Sequence, residues 1–191
     1  MLELLITVSV MLIVAAIAVP NIIQAMRAVQ LRTTAGDLSS LIQQARIMAA
    51  KNNATYPIRY TTIGGVQVAY IDVNLSGGYN AGEPAIYFTA HVLPAAGAPT
   101  GTGGQPPAYT LAGDTGATYY DNTNTIAFSP RGLPCNYDTS TNPPTCATPS
   151  ARYFVYYMTQ TRPVGPPAWG AVLATKSGRS KVLTWSGASW N

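Results

Sequence analysis

The chain begins with a long apolar run, in which residues 1–20 read MLELLITVSVMLIVAAIAVP. Its first nineteen residues include one charged side chain, that of Glu3. As a helix the run would be roughly 28 Å long, which is about the thickness of the hydrocarbon core of a bilayer. Because a carboxylate inside a membrane is energetically costly, Glu3 is expected to have a functional role. The run therefore predicts a membrane-spanning helix.

The helical pattern continues beyond Pro20. Apolar residues recur there in steps of three and four, which indicates one apolar helix face, and polar residues occupy the opposite face. The asparagine pair at 52–53 ends the pattern, because asparagine favours caps and turns. We predict one helix over residues 1–52, with 1–19 transmembrane and 20–52 amphipathic. Pro20 removes one backbone hydrogen bond and is expected to kink this helix near the membrane edge.

The remaining residues, 53–191, are enough for one domain of ordinary size. They are rich in Gly, Pro, Thr, Tyr and Val and poor in charge, a composition that favours short strands and long turns. Strands are predicted over residues 55–60, 66–73, 85–92, 125–129, 152–159, 168–175 and 181–185. Turns are predicted at 64–65, 130–132 and 176–180, and a flexible loop at 94–107. The expected fold class is α+β, with the long helix packed on an antiparallel head of two small sheets.

The N-terminal segment resembles that of type IV pilins and of the pseudopilins of type II secretion. Glu3, the apolar run and Pro20 carry this resemblance. In the family, the near-terminal glutamate neutralises the free amine of a neighbouring subunit as the filament assembles, and Glu3 would inherit this role. Family members have a short basic leader, cut before a residue, usually Phe, that becomes N-methylated. The given sequence begins about two residues inside the usual processed terminus and lacks the usual Phe, which implies either a start upstream of Met1 or a trimmed chain. A plain single-pass anchor is the alternative.

The head extends the resemblance to minor pilins of the FimT/GspH type. The similar segments are LSSLIQQARIMAAKNN at 38–53, YIDVNLSGGYNAGE at 70–83, IAFSPRGLP at 126–134 and GRSK at 178–181. The resemblance implies a non-enzymatic filament subunit whose partners are other pilins or pseudopilins, bound through the helix. Before assembly such a subunit is held in the inner membrane with its head in the periplasm. A membrane-anchored carbohydrate-binding module or hydrolase is a remote alternative.

The C-terminal segment points to an anionic partner. The chain has a formal charge of +4, and residues 151–191 contain five Lys or Arg and no Asp or Glu. DNA-uptake members of the FimT group carry a Gly-Arg-x-Arg motif in the last hairpin, which GRSK resembles. Strand alternation would direct Arg179 and Lys181 to one side, with Lys176 across the turn. Double-stranded DNA bound this way would be held through phosphates, independently of sequence and sensitively to salt.

Two alternatives bear on this turn. Lys181 stands where the motif has a second Arg, which keeps the charge but loses the bidentate fork. GRSK is also compatible with a solvated turn in a type II secretion pseudopilin that has no DNA role.

Residues 72–83 match the template of a calcium-binding loop, with Gly sixth and Glu twelfth. The candidate ligands are Asp72, Asn74, Ser76, Asn80 and Glu83. The flanking segments, however, are predicted as strands rather than helices, and the loop has two carboxylates. We favour a Gly/Asn-rich hairpin in which Asp72 and Asn74 bond local amides, over bound calcium.

Two cysteines, Cys135 and Cys146, lie in a stretch rich in Pro, Asn and Thr. If the head lies outside the inner membrane, we expect them to form a disulfide that stabilises the fold by about 3 kcal/mol. The alternative is two free thiols. A zinc site is not expected, because neither cysteine has a nearby His or further Cys.

The sequence offers no catalytic constellation. His91 is the single histidine, on a predicted strand without an acid or nucleophile nearby, and is expected to be structural or exposed. The carboxylates of the head lie mostly in turns and form no glycosidase pair. Trp169, Trp185 and Trp190 are expected to pack in the core or at its edge rather than to stack on bases or sugars.

Overall fold

The structure is a computed structural model. It describes residues 2–95, 97–99, 119–120, 125–141, 144–147, 153–163 and 165–191. A single helix, α1, covers Leu2–Asn52, as predicted. It continues through Pro20, and the side-chain amide of Asn21 donates to the carbonyl of Ile17 at 3.0 Å. The helix ends where Asn53 takes a left-handed φ of 49° and the amide of Ala54 donates to the carbonyl of Ala49.

The two halves of α1 differ in burial. The large apolar side chains from Leu4 to Val29 are exposed, Met11 at 72% of its surface. An 18-residue window within the helix has a mean hydropathy of 2.4 and is 0% buried, so the helix is long and apolar enough to cross a membrane. From Leu31 onward, one face of the helix is buried against the head. The buried residues of this half are Leu31, Thr34, Ala35, Leu38, Leu41, Ile42, Ala45 and Ala49.

Eleven strands form two sheets in the described part of the head. In chain order they are β1 Tyr56–Ile63, β2 Val66–Ile71, β3 Ala85–Tyr87, β4 Val92–Ala95, β5 Tyr119–Tyr120, β6 Ile126–Phe128, β7 Pro134–Asp138, β8 Thr145–Ala147, β9 Tyr153–Gln160, β10 Ala168–Thr175 and β11 Ser180–Thr184. The first sheet has the order β3-β2-β1-β6-β7-β8, and the second has β11-β10-β9-β4. β5 pairs in parallel with β9, and the other described pairings are antiparallel. The α+β layout with two sheets agrees with the prediction.

The main core lies between the buried face of α1 and both sheets. Ile58 and Phe128 from the first sheet, and Tyr156 and Val172 from the second, belong to this core. A second, smaller core lies on the other face of the second sheet and contains Val155, Tyr157, Ala171, Leu173, Leu183 and Trp190. Side chains that alternate along β9 and β10 therefore supply both cores.

The prediction of one strand over residues 85–92 is wrong. The structure divides this segment between β3 and β4, which belong to different sheets. The chain reverses between them, where His91 has a φ of 75° and the amide of Val92 donates to the carbonyl of Thr89 at 3.0 Å. The predicted loop at 94–107 also needs correction, because Pro94 and Ala95 pair with β9. Residues 96 and 100–107 of that loop lie outside the described residues.

The stretch that contains both cysteines is a hairpin rather than a loop. β7 and β8 pair antiparallel at the edge of the first sheet, with Tyr137 opposite Cys146. Cys135 and Cys146 form a disulfide with their Cα atoms 5.4 Å apart, which confirms the predicted pairing. Neither strand is among those predicted, because Pro, Asn and Thr hide the alternation of buried and half-buried side chains along β7.

Candidate functional site

The turn between β10 and β11, residues 176–179, lies beside the last turns of α1, and we call it the distal turn. It is tight because Gly178 has a φ of 77°, which glycine adopts without strain. The amide of Gly178 donates to the carbonyl of Thr175 at 2.8 Å, and the amide of Thr175 donates to the carbonyl of Arg179 at 2.9 Å. These hydrogen bonds fix the geometry of the turn that carries the predicted DNA-binding residues.

The helix holds the distal turn through hydrogen bonds. Gln43 donates from Nε2 to the carbonyl of Gly178 and to Oγ of Ser180, both at 3.0 Å. The hydroxyls of Ser39 and Ser180 are 2.7 Å apart. Because Ser180 faces the helix, strand alternation directs its neighbours Arg179 and Lys181 away from it, and both are exposed.

Arg46 joins two turns that are distant in sequence. Its Nε donates to the carbonyl of Gly132 at 3.2 Å, and its Nη1 donates to the carbonyl of Gly178 at 3.4 Å. A Cβ on Gly178 would lie 2.9 Å from Nε of Arg46 and 3.1 Å from the carbonyl oxygen of Gly132. The close approach of these groups therefore requires glycine at 178.

The same contact brings a further cation to this end of the head. Arg131 precedes Gly132 and is exposed, and sequence reasoning assigned it to a turn without any role. Lys51 follows Ala50, whose Cβ is 3.7 Å from the position that a Cβ on Gly132 would occupy, and Lys51 is exposed as well. The three segments that meet here, residues 46–51, 130–132 and 176–181, contain six Lys or Arg and no Asp or Glu. We call the exposed members of this set the distal cations: Lys51, Arg131, Lys176, Arg179 and Lys181.

Not all cations of the C-terminal segment belong to this group. Arg162 lies at the opposite end of the head, where Arg27 donates to the carbonyl of the preceding residue, Thr161. Arg27 and Arg46 are separated by roughly 28 Å along the helix axis. The described Lys and Arg residues of the segment 151–191 thus lie in two separate places in the head. Arg152, its fifth cation, lies outside the described residues.

The carboxylate of Asp72 is fully buried and bonded on both oxygens. It accepts hydrogen bonds from Nε of Arg59 at 2.9 Å and from the amides of Ser76 and Gly77. Asn74 Oδ1 also accepts from the amide of Ser76, at 3.0 Å. Asp72 and Asn74 thus accept hydrogen bonds from local amides, as the predicted Gly/Asn-rich hairpin requires.

The other candidate ligands of this loop have local partners too. Glu83 accepts from the amides of Val73 and Asn80, one on each carboxylate oxygen and both at 2.9 Å. Asn80 Nδ2 donates to Oγ of Ser76 at 2.7 Å. Among the described residues, no three His, Cys, Asp or Glu side chains group in a way that could hold a metal ion.

The other predicted residues lie apart from the distal cations. Glu3 and Pro20 are on the exposed half of α1. His91 is exposed and lies in the turn before β4 rather than on a strand. Trp190 is 8% exposed and packs on Trp185, with ring centroids 5.4 Å apart.

Comparison of the chain with protein-family models, curated proteins and solved structures found no match. The likeness to pilins therefore stays a resemblance of sequence pattern.

Proposed function

We propose that this chain is a minor pilin or pseudopilin subunit of a filament of the type IV pilus type. The observation that carries the proposal is the 51-residue helix, whose exposed apolar half continues without a break into the half that packs in the head. Such an apolar surface is stable in water only when it is covered. A bilayer covers it before assembly, and the helices of other subunits cover it within a filament.

The carboxylate of Glu3 would favour transfer of this helix from the lipid into a filament. It is the single Asp, Glu, Lys or Arg between residues 2 and 26. A carboxylate within a bilayer is costly unless it is paired, and the terminal amine of a neighbouring subunit would provide the opposite charge. The cost of the unpaired carboxylate would thereby favour assembly over residence in the inner membrane.

The proposed location before assembly is the inner membrane, with the head in the periplasm. The disulfide between Cys135 and Cys146 supports an oxidising compartment for the head, because disulfides persist there and are rare in the cytosol.

The assembly role is tested in the native host with sheared surface filaments. The wild-type chain should be present in both the membrane fraction and the filament fraction by immunoblot. Glu3→Ala should stay in the membrane fraction and be depleted from the filaments. Ser9→Ala, a polar change in the same segment, serves as the control. Full incorporation of Glu3→Ala would contradict the assembly role of Glu3. A wild-type chain confined to the membrane fraction would contradict a place in a surface filament and favour the type II secretion pseudopilin.

A second proposed activity is the binding of double-stranded DNA by the distal cations. Its support is that Arg179 and Lys181 are exposed on one side of a turn that hydrogen bonds hold to α1. The neighbouring segments add positive charge and no carboxylate. A rigid positive surface at the end of the head remote from the apolar half of α1 suits contact with phosphates.

The DNA-binding proposal is tested by gel shifts with the full chain in an uncharged detergent, at several salt concentrations. Arg179→Ala with Lys181→Ala should weaken binding and reduce the slope of log K against log salt by about 0.9 for each phosphate that the variant no longer neutralises. Arg32→Ala with Arg162→Ala removes the same charge at the other end of the head and is the matched control. Equally weakened binding in both double variants would indicate a net-charge effect and contradict a specific surface.

The same-fold alternative is a type II secretion pseudopilin with no DNA role. It predicts that the wild-type chain fails to shift DNA at any salt concentration, while crosslinks from the helix identify other pseudopilins.

A further inference from the structure

A groove of about 250 Å³ lies between α1 and the ends of β10 and β11, near the apolar half of the helix. We call it the proximal groove. Arg32 and Arg162 line it from the helix and from the loop after β9. Trp169 lines it from β10, and Trp185 from the position directly after β11. The lining contains no Asp or Glu, so the groove combines positive charge with aromatic surface.

Neighbouring contacts keep the groove in place. Arg27 donates to the carbonyl of Thr161 and so holds the residue before Arg162 against the helix. On the other side, Leu31 packs on Gly170, where a Cβ would approach its side chain to 3.4 Å. The two arginines that line the groove are both exposed, while both tryptophans are half-buried with one part of each side chain accessible.

The position of the groove along the helix matches the headgroup layer of a bilayer. No charged residue lies between Glu3 and Arg27, so the hydrocarbon core can extend to Met26, seven residues beyond the predicted span 1–19. Residues 4–26 would be about 35 Å long as a helix, a length that a core of about 30 Å accommodates when the helix tilts. At 1.5 Å per residue, residues 28–32 lie about 3 to 9 Å beyond Met26. The headgroup layer on each side of the hydrocarbon core is about 5 to 8 Å thick. Tryptophans at this depth are typical of membrane interfaces.

We propose that the proximal groove binds the headgroup of an anionic phospholipid of the bilayer into which α1 is inserted. The guanidinium groups of Arg32 and Arg162 would receive the phosphate, because their planar forks match its oxygens. The indole rings of Trp169 and Trp185 would cover the glycerol region. This contact would fix the orientation of the head relative to the membrane. The inference rests on the membrane insertion in the proposed function, and it is independent of the DNA-binding proposal.

Native mass spectrometry of the full chain in an uncharged detergent tests the inference, with phosphatidylglycerol and phosphatidylcholine added in parallel. The wild-type chain should retain phosphatidylglycerol in preference to phosphatidylcholine. Arg32→Gln with Arg162→Gln should weaken retention by about fivefold for each cation removed, hence by about 25-fold. Arg179→Gln with Lys181→Gln should retain the lipid as the wild type does. Arg32→Lys with Arg162→Lys, which keeps the charge but loses the fork, should give an intermediate loss.

Four outcomes would overturn the inference. The first two are equal retention of the two lipids by the wild-type chain and equally weakened retention in the two Gln double variants. The third is displacement of the lipid by millimolar inorganic phosphate, and the fourth is that Arg32→Gln with Arg162→Gln abolishes a dimer of the chain rather than lipid binding. The third would indicate a free-phosphate site, and the fourth a second copy of the chain in the groove. Alkaline carbonate extraction of vesicles separates this test from the proposed function. A wild-type chain that carbonate extracts is not inserted, which contradicts the proposed function. If the chain is inserted but Arg32→Gln with Arg162→Gln retains the lipid as the wild type does, only this inference is contradicted.

Discussion

The surroundings of three residues, Gly178, Asp72 and Tyr60, restrict which side chains can replace them. Gly178 combines a φ of 77° with a Cβ position that lies 2.9 Å from Nε of Arg46. Asp72 is buried with hydrogen-bond partners on both of its oxygens, whereas Tyr60 has a buried hydroxyl with no hydrogen-bond partner in the described part of the chain. Each environment leads to a measurable expectation.

Gly178→Ala should lower the free energy of unfolding by about 3 kcal/mol. The left-handed backbone accounts for about 1 to 2 kcal/mol, and the overlap with Arg46 adds about 1 to 2 kcal/mol. Gly187→Ala is the matched control, because Gly187 has a φ of 101° and nothing lies within 4 Å of its Cβ position. It should lose only the backbone part in denaturant unfolding. Equal destabilisation at both positions would show that Arg46 yields to the added methyl group.

Asp72→Asn should lower the free energy of unfolding by about 3 kcal/mol. The substitution removes the charge partner of Arg59 and turns one acceptor oxygen into a donor that faces amide donors. Denaturant unfolding measures the change. Glu83→Gln is the comparison, since its half-buried carboxylate accepts only from backbone amides, and a loss of about 1 kcal/mol is expected there.

The same variants address calcium. Because the oxygens of Asp72 and Glu83 already accept local hydrogen bonds, we expect millimolar calcium to leave the melting temperature unchanged. A rise with calcium that is lost in Glu83→Ala would establish a calcium site instead.

Tyr60 makes the fold sensitive to alkaline pH. Burial, and secondarily the nearby Tyr156, raise the pKa of its phenol well above the ordinary value of 10.0. A group with a raised pKa in the folded state contributes stability that is complete below the unfolded value and declines as pH rises above it. Stability should therefore fall above pH about 10, and Tyr60→Phe should reduce that fall. Thermal melting between neutral and alkaline pH measures both curves; identical alkaline slopes would contradict the expectation.

Among the elements, the β7–β8 hairpin is expected to depend on its disulfide, because β8 has three residues and lies at the edge of the first sheet. β10 and β11, in contrast, are held along the helix from Gly170 near Leu31 to Gly178 near Arg46. The first sheet therefore has a covalently supported edge, and the second has an edge hairpin supported by the helix.

Cys135→Ser with Cys146→Ser should lower the free energy of unfolding by about 3 kcal/mol. The reason is that a loop with a sequence separation of 11 is no longer closed in the unfolded chain. Denaturant unfolding with and without a reductant checks this. The reductant should destabilise the wild-type chain by a similar amount and leave the double variant unchanged. A reductant effect on the double variant would contradict the assignment.

At the scale of the whole molecule, the chain has an apolar half of α1 outside the head, and the described part of the head has exposed cations at each of two ends. The described residues before Arg27 contribute none of the buried core. The proximal groove and the distal cations are separated by most of the length of the packed half of α1. The same head could thus contact a bilayer at one end and a polyanion at the other.

Removal of residues 1–26 should leave the melting temperature of the head unchanged, because the apolar window of the helix is 0% buried and the core begins at Leu31. The deletion keeps Arg27, which holds Thr161. Circular dichroism melting of the shortened chain beside the full chain in detergent checks this. Removal of residues 1–35, which takes Leu31 and Ala35 from the core, is the comparison and should lower the melting temperature. A large loss from the first deletion would show that the apolar half supports the head.

Local patterns in the sequence alone determined the helix, its apolar half, the Gly64-Gly65 hairpin and most strands. Periodicity, turn residues and the two cysteines are visible within short windows of chain. The tertiary structure alone decided that residues 85–92 divide between two sheets, that Arg46 joins the turns at 132 and 178, and that Arg162 is remote from Lys176. These outcomes depend on contacts between residues far apart in the chain, and no local pattern encodes which distant segments will meet.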